Sequence, residues 1–206
     1  MEWHYCRMVA NRRVGTETSK TRDLLLDAVL RLMRSSGYAA VTYRAVAAQA
    51  GVTAGLVQYY FPTQDDLFIA SIGRGSDESI ERLRADLAEA DNPLRVIWEH
   101  SREASTAAMT MEFLALGNHR KSVQAEIAKV AEKVRRVQLA AIRKRFGTGP
   151  VAGTGLKPAA LLFILTGIPR MIRLEEGIGV ASTHKEILRA ADRFLAEIDG
   201  KVSTRD

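Results

Sequence analysis

Residues 41–67 read VTYRAVAAQAGVTAGLVQYYFPTQDDL, and this stretch decides the fold of the first third of the chain. Ala47, Gly51 and Val57 stand at the spacing of a helix-turn-helix, in which two short helices cross through a turn of three or four residues. Ala47 is small enough for a close crossing, Gly51 tolerates the positive φ of the turn, and Val57 can pack against the first helix. The stretch therefore predicts helices over about 43–50 and 54–60.

The second of these helices leaves a small and polar face outward once Val57 and Tyr60 point inward. That face consists of Thr53, Ala54, Gly55, Gln58 and Tyr59. Small residues let a helix backbone approach DNA, and amide and hydroxyl groups reach base edges and phosphates in the major groove. The pattern favours DNA binding over a helical hairpin that only packs, because such a hairpin does not explain the turn, the spacing and the polar face together.

The segment 42–67 resembles the TetR family of bacterial transcriptional regulators. The resemblance rests on Gly37-Tyr38, on the turn AGVTAG over 50–55 and on the aromatic cluster YYF over 59–61. It implies a DNA-binding head followed by a helical ligand-binding domain, in a homodimer that binds a palindromic operator in double-stranded DNA and is released by a small-molecule effector. Gln58 and Gln64 stand where the family often has Tyr and Lys. The expected DNA-binding residues are Thr42, Tyr43, Arg44, Thr53, Ala54, Gly55, Gln58, Tyr59 and Gln64.

Composition agrees with an all-α, DNA-binding protein. Of the 206 residues 47% are hydrophobic and 26% are charged, which is ordinary for a globular protein. Five prolines and the lack of alternating apolar runs favour long helices. The net charge of +6 permits an anionic partner, and the single cysteine excludes an internal disulfide. No apolar run is long enough for a membrane span, so we expect a soluble cytoplasmic protein without a membrane partner.

Helix signals divide the chain into three parts and predict about nine helices. A flexible basic arm over 1–18, with Met1 or Met8 as its start, precedes a helix-turn-helix domain over 19–63 and a ligand-binding and dimerisation domain over 64–206. Gly73 and Gly75 predict kinks in the fourth helix, and Pro169 a kink in the eighth. The predicted helices are 19–35, 43–50, 54–60, 64–90, 93–108, 110–119, 122–146, 157–175 and 184–199.

The two last helices carry wide apolar faces. A dimeric four-helix bundle would bury them, although ordinary core packing would do the same. The expected dimer contacts are Leu161, Leu165, Ile168, Ile172, Leu188, Ala191 and Leu195. An effector cavity between helices is expected to use adaptable or aromatic side chains. Its candidates are Trp98, Met109, Met111, Phe113, His119, Phe163 and Met171.

The remaining motifs do not indicate an enzyme, a cofactor or a metal. His100 beside Glu99 and Glu103 lacks the further ligand that a metal site needs. The glycine-rich segment 147–155 lacks the Gly-Lys-Ser/Thr ending and the preceding strand of a phosphate-binding loop. We find no nucleophile with a base at a recognisable spacing. Two alternatives to a ligand-released repressor stay open: a regulator that activates or needs no ligand, and a helical enzyme or adaptor with a vestigial DNA-binding head.

Overall fold

The structure, a computed structural model, describes residues 20–203, and the side chains of that range except 104–107 and 199–203. The predicted basic arm lies outside the described residues. The described part is helical and contains no strand, as the all-α prediction requires. A short 3-10 turn, Tyr38–Ala40, follows the first helix. The helices are α1 (Lys20–Ser36), α2 (Tyr43–Ala50), α3 (Ala54–Tyr60), α4 (Gln64–Glu89), α5 (Pro93–Arg102), α6 (Ala104–His119), α7 (Lys121–Phe146), α8 (Pro158–Gly177) and α9 (His184–Ser203).

Three threonines cap the starts of α2, α3 and α4. The hydroxyl of Thr42 accepts a hydrogen bond from the Ala45 N–H at 3.1 Å, and that of Thr53 accepts one from the Leu56 N–H at 3.3 Å. Thr63 forms a full capping box with Asp66 at the start of α4. Side-chain oxygens here satisfy N–H groups that have no partner within the helix. The predicted starts of α2, α3 and α4 are thereby confirmed.

One predicted helix boundary is wrong. The break after α5 lies at Glu103, about six residues earlier than predicted, at a position that neither glycine nor proline marks. α4 is continuous through Gly73 and Gly75, where the sequence predicts kinks. Gly75 also has a packing role: a Cβ at this position would lie 3.2 Å from a methyl carbon of Leu30 in α1. The glycine therefore allows α1 and α4 to approach closely.

Buried side chains form two clusters. The first joins α1, α2, α3 and the start of α4 with Leu116 of α6 and Val123 of α7. The second joins α5, the end of α7, α8 and α9 around Trp98. α4 and α7, each 26 residues long, both extend from the first cluster to the second. In α1, Leu25, Ala28 and Met33 are buried, whereas Leu24 is 42% exposed.

Candidate nucleic-acid interface and inner cavity

The turn between α2 and α3 has the geometry of a helix-turn-helix. Gly51 ends α2 in the left-handed region, with φ 69° and ψ 33°. The Val52 N–H donates to the Ala47 carbonyl at 2.9 Å, which closes the turn. Val57 is fully buried against this unit, and Ala47 is nearly so. Glycine adopts positive φ without the Cβ penalty that other residues have, so Gly51 has the turning role that the sequence predicted.

The outward face of the unit contains most of the residues expected to bind DNA. Thr42, Arg44, Thr53, Gly55 and Gln58 are exposed, as is Tyr59, whose exposed fraction is 54%, and Ala54 is partly exposed. The ring of Tyr59 contacts that of Tyr60 edge-on, with 5.5 Å between centroids. The structure therefore presents one small and polar surface on α3 and the start of α2.

Gly55 in the first turn of α3 is not explained by packing within the chain. A Cβ at this position would lie more than 4 Å from the described atoms outside its own turn of helix, and Gly55 does not have the positive φ that usually requires glycine. Glycine inside a helix costs up to about 1 kcal/mol relative to alanine. A glycine that the fold does not need permits a close approach of the helix backbone to something outside the chain.

Two of the expected DNA-binding residues have their side chains bonded inside the protein. The Tyr43 hydroxyl donates to the Phe61 carbonyl at 2.9 Å, and burial, followed by the charge of Asp66, raises the pKa of Tyr43. The Gln64 side-chain amide donates to the Val41 carbonyl at 2.8 Å, and its oxygen accepts from Arg120 at 2.7 Å. Direct contact of Gln64 with DNA would require these bonds to break, so we leave Tyr43 and Gln64 out of the interface proposed below.

The charge of the same stretch is a further signal in the sequence. Residues 42–64, which contain α2 and α3, include Arg44 but no aspartate or glutamate. Arg44 is exposed. An exposed surface without carboxylates does not repel a polyanion, which suits nucleic acid.

A cavity of about 480 Å³ lies among the helices on the C-terminal side of this unit. It is lined by α1, α4, α5, α6, α7 and α8. Met109, Phe113 and Phe163 line it, as the sequence predicted for the effector cavity. Its polar lining includes Ser76, Ser79, His100, Thr110, Gln138 and Thr166.

The other candidates for the cavity lie elsewhere. Trp98 is fully buried in the second cluster, where its ring N–H donates to Asp192 at 3.3 Å. His119 is exposed and stacks on Tyr38, and Met171 is exposed on the far side of α8. Met111 is absent from the lining as well. The sequence identified candidate side chains for the cavity, but it did not show which of them face the cavity.

Residues 25–71 match the family model of bacterial regulatory proteins, tetR family. This range contains the helix-turn-helix and the start of α4. The helix-turn-helix region of this chain is thus similar to that of TetR-family regulators. The TetR-type relatives and the family are transcriptional regulators and not enzymes.

Sequence similarity to the curated relatives covers about a third of this chain. The HTH-type transcriptional repressor KstR of Mycolicibacterium smegmatis is 35% identical over 68 residues, which are 32% of this chain and 33% of KstR. The chain thus matches about a third of the length of that relative.

Solved structures extend the similarity of fold to most of the chain. A TetR transcription regulator from Haloarcula marismortui superposes with a TM-score of 0.65 at 18% identity, over 86% of this chain and 96% of that one. The multidrug binding protein EbrR complexed with proflavin has a TM-score of 0.58 at 25% identity, over 85% and 99%.

Polar contacts join the helix-turn-helix region and the start of α4 to the C-terminal helices. A carboxylate oxygen of Glu112 in α6 accepts from the Tyr38 N–H at 2.7 Å. Arg120, between α6 and α7, pairs with Asp65 at 2.5 Å, and Ser122 bonds to the same carboxylate. Hydrogen bonds from Ser122 and then Arg120 lower the pKa of Asp65. On the C-terminal side, these contacts come from α6, from the turn after it and from the start of α7.

The predicted dimer contacts need correction. Leu161, Leu165 and Leu195 are at most 1% exposed within one chain, and Ile172 and Ala191 are buried as well. Ile168 and Leu188 are partly buried and pack on the second cluster. These side chains pack within the chain, and only Ile168 and Leu188 keep a partly exposed surface. The exposed apolar side chains of α8 and its following turn are Phe163, Ile164, Met171, Leu174 and Ile178.

No helix among the described residues is both long and apolar enough to span a membrane.

Proposed function

We propose that this protein is a cytoplasmic transcriptional repressor of the TetR family that binds a palindromic operator as a homodimer and is released when a small molecule enters the cavity. The observation that carries the proposal is the outward face of α2 and α3, which is exposed and free of carboxylates. Its Gly55 has no role in the packing of the chain itself. A helix with such a face suits the DNA major groove, where backbone and side chains both approach base edges.

Each exposed side chain on this face has a role that its chemistry supports. Gln58 can bond bidentately to adenine, which makes it the base-reading residue of α3. Arg44, Thr42 and Tyr59 can bond to phosphates, which position the helix without reading sequence. Arg44 has no ion-pair partner among the described residues, so its charge is available to a phosphate.

A second copy of the chain is the partner that the exposed face of α8 favours. Ile164, Met171, Leu174 and Ile178 recur at intervals of seven, three and four, so they share one stripe of the helix. Apolar stripes at this spacing pack against another helix with the same pattern. In a two-fold dimer the same stripe serves both subunits. Two heads then face two half-sites of a palindrome.

Release by a ligand has a direct route in α6. Met109 and Phe113 line the cavity, and Glu112 in the same turns bonds to the head through the Tyr38 N–H. A molecule that shifts these turns changes the position of the head. EbrR, which resembles this chain in fold, binds proflavin and so supports a small-molecule ligand. The ligand acts only through different affinities for the two arrangements of the heads.

Operator binding tests the proposal. An operator is selected from a random duplex pool with the full chain, and binding to operator and scrambled duplexes is followed by fluorescence anisotropy. Gln58→Ala is expected to cost about 1–3 kcal/mol on the operator and to relax one base-pair preference in each half-site. Tyr59→Phe is expected to weaken both duplexes by about 0.5–1.5 kcal/mol, the scale of one neutral hydrogen bond.

Gln124→Ala, which alters an exposed glutamine on α7, is the matched control and is expected to bind both duplexes like the parent. If the folded Gln58→Ala and Tyr59→Phe variants do the same, α3 does not enter the groove and the proposed function is wrong.

A further inference from the structure

Basic side chains from four helices surround the cavity. Arg34 of α1, Arg82 of α4, Arg135 of α7 and Arg170 of α8 line it, and no aspartate or glutamate does so among the described residues. We propose that the cavity binds an amphipathic organic anion, with a carboxylate or phosphate held by these arginines and an apolar body in the rest of the space. The inference rests on the proposed ligand-responsive function and names the class of that ligand.

The positive charge of the lining is only partly compensated by the protein. Arg135 pairs with Glu132 at 2.9 Å, on the exposed side of α7. Arg34, Arg82 and Arg170 have no ion pair within 4 Å among the described residues. Burial lowers the pKa of Arg170, and the nearby charge of Arg135 lowers it further. All four arginines also keep an exposed surface. An anion beside Arg135 and Arg170 would offset the repulsion between their charges and accept charged hydrogen bonds from them.

His100 adds a neutral polar group to the lining. Burial, the largest effect, and the charge of Arg82 lower the pKa of His100, whereas Glu103 and Asp86 raise it. His100 therefore tends to the neutral form at pH 7, in which it offers one donor and one acceptor to a ligand.

Most of the remaining lining is apolar. It includes Leu30, Ile72, Met109, Phe113, Ile127, Leu139 and Leu162, which can contact the apolar body of a ligand. The volume of about 480 Å³ is within the usual range for small-molecule sites.

Binding of matched probes to the full chain in the absence of DNA tests the inference. The probes are decanoate, decan-1-ol and decyltrimethylammonium, with 2-naphthoate and 2-naphthylmethanol as a second body, and affinity is measured by titration calorimetry. We expect each acid to bind about 10-fold or more tightly than its alcohol, the scale of a charged hydrogen bond. Decyltrimethylammonium is expected to bind most weakly. Equal affinities of acids and alcohols, or no binding of any probe, would overturn the inference.

Variants place the bound anion. Arg170→Gln is expected to reduce the affinity for the acids about 10-fold and to leave that for the alcohols unchanged. Arg136→Gln, which removes an exposed arginine outside the lining, is the matched control. If Arg170→Gln is not folded by circular dichroism, Arg82→Gln takes its place. Unchanged affinity for the acids in the folded variant would refute the site.

These outcomes are separate from those of the proposed function. The probe titrations contain no DNA, so failure of operator binding leaves an acid-selective cavity intact. Equal binding of acids and alcohols refutes the anion site while operator binding by the parent persists.

Discussion

Helices α3 and α8 both expose a face that the packing of one chain does not explain, and the two faces differ in chemistry. The outer face of α3 contains Gly55, Gln58 and Tyr59, which are small or polar. The outer face of α8 contains Met171 and Leu174, which are large and apolar. The first suits a hydrated, charged partner that is read by hydrogen bonds, and the second suits a partner that removes it from water. This difference supports the proposal that α3 contacts DNA and that α8 contacts a second subunit.

The inner faces of the same two helices both pack into the buried clusters. Val57 of α3 and Leu165 of α8 are both at most 1% exposed and hold their helices onto the two buried clusters. Substitutions on an inner face are therefore expected to unfold part of the chain, whereas those on an outer face are expected to remove one partner and spare the fold.

The largest expected effect is at the inner face of α3. Val57→Asp places a charge without a partner in the first cluster and is expected to reduce the free energy of unfolding by roughly 3–5 kcal/mol. Urea denaturation followed by circular dichroism measures this loss. Gln58→Asp, one residue along on the exposed face, is the control. If both variants are equally stable, the inner and outer faces of α3 are assigned wrongly.

The outer face of α8 comes next. The double variant Ile164→Glu, Met171→Glu is expected to be a folded monomer, because a dimer would bury two uncompensated charges from each chain. Sedimentation velocity gives the oligomeric state, and Arg173→Glu, on the same helix, serves as the charge control. A dimer that persists unchanged in the double variant would assign the interface to another surface.

A smaller effect is expected at the link between the two regions. Glu112→Ala leaves the partly buried Tyr38 N–H without an acceptor and is expected to cost about 1–3 kcal/mol of stability. Glu112→Gln keeps an acceptor and is expected to recover most of this loss. Thermal melting of the two variants measures the difference. Equal loss in both would show that the charge of Glu112, and not its hydrogen bond, joins α6 to the head.

Asp65 gives the smallest effect, which depends on pH. Its pKa is lowered in the folded state by Ser122 and Arg120, so its contribution to stability is present above the unfolded pKa and is lost as the pH falls through the folded pKa. Asp65→Asn is therefore expected to be less stable than the parent at pH 7 and to approach it below about pH 4, near the unfolded pKa of an aspartate. Denaturant unfolding curves of both proteins across this pH range test the expectation. A difference in unfolding free energy that does not decrease with falling pH would show that the ionised Asp65 does not stabilise the fold.

The head could be predicted from sequence because its signals are local. Thr42, Gly51, Thr53 and the Thr63–Asp66 pair each report on residues within a few positions, and the structure confirms every one of them. Local chemistry sets caps and turns, so no tertiary information is needed to recognise them.

The faces of α8 could not be assigned in the same way. This helix is apolar on nearly every side, so periodicity does not distinguish the face that packs inward from the face that stays exposed. The sequence favoured Leu161 and Leu165 for the dimer, and both are buried inside one chain. The exposed apolar face of α8 can be identified only once the packing of α5 and α9 against this helix is known.

The basic cavity was hidden from the sequence for a related reason. Arg34, Arg82, Arg135 and Arg170 come from four helices that are far apart along the chain. No spacing rule joins them, and each alone looks like a solvated surface charge. Only the packing of the helices brings them around one space.

The most direct test of the central claim, that the outer face of α3 lies against DNA, uses two glycines that have open space around them. Gly55 in α3 and Gly149 in the loop after α7 each have room for a Cβ, and neither has a positive φ. Gly55→Leu and Gly149→Leu are titrated against the selected operator by anisotropy, after circular dichroism confirms their fold. We predict that Gly55→Leu loses about 1–3 kcal/mol of operator affinity, the cost of overpacking a close contact, while Gly149→Leu binds like the parent. Operator binding by a folded Gly55→Leu variant that equals that of the parent would contradict the account.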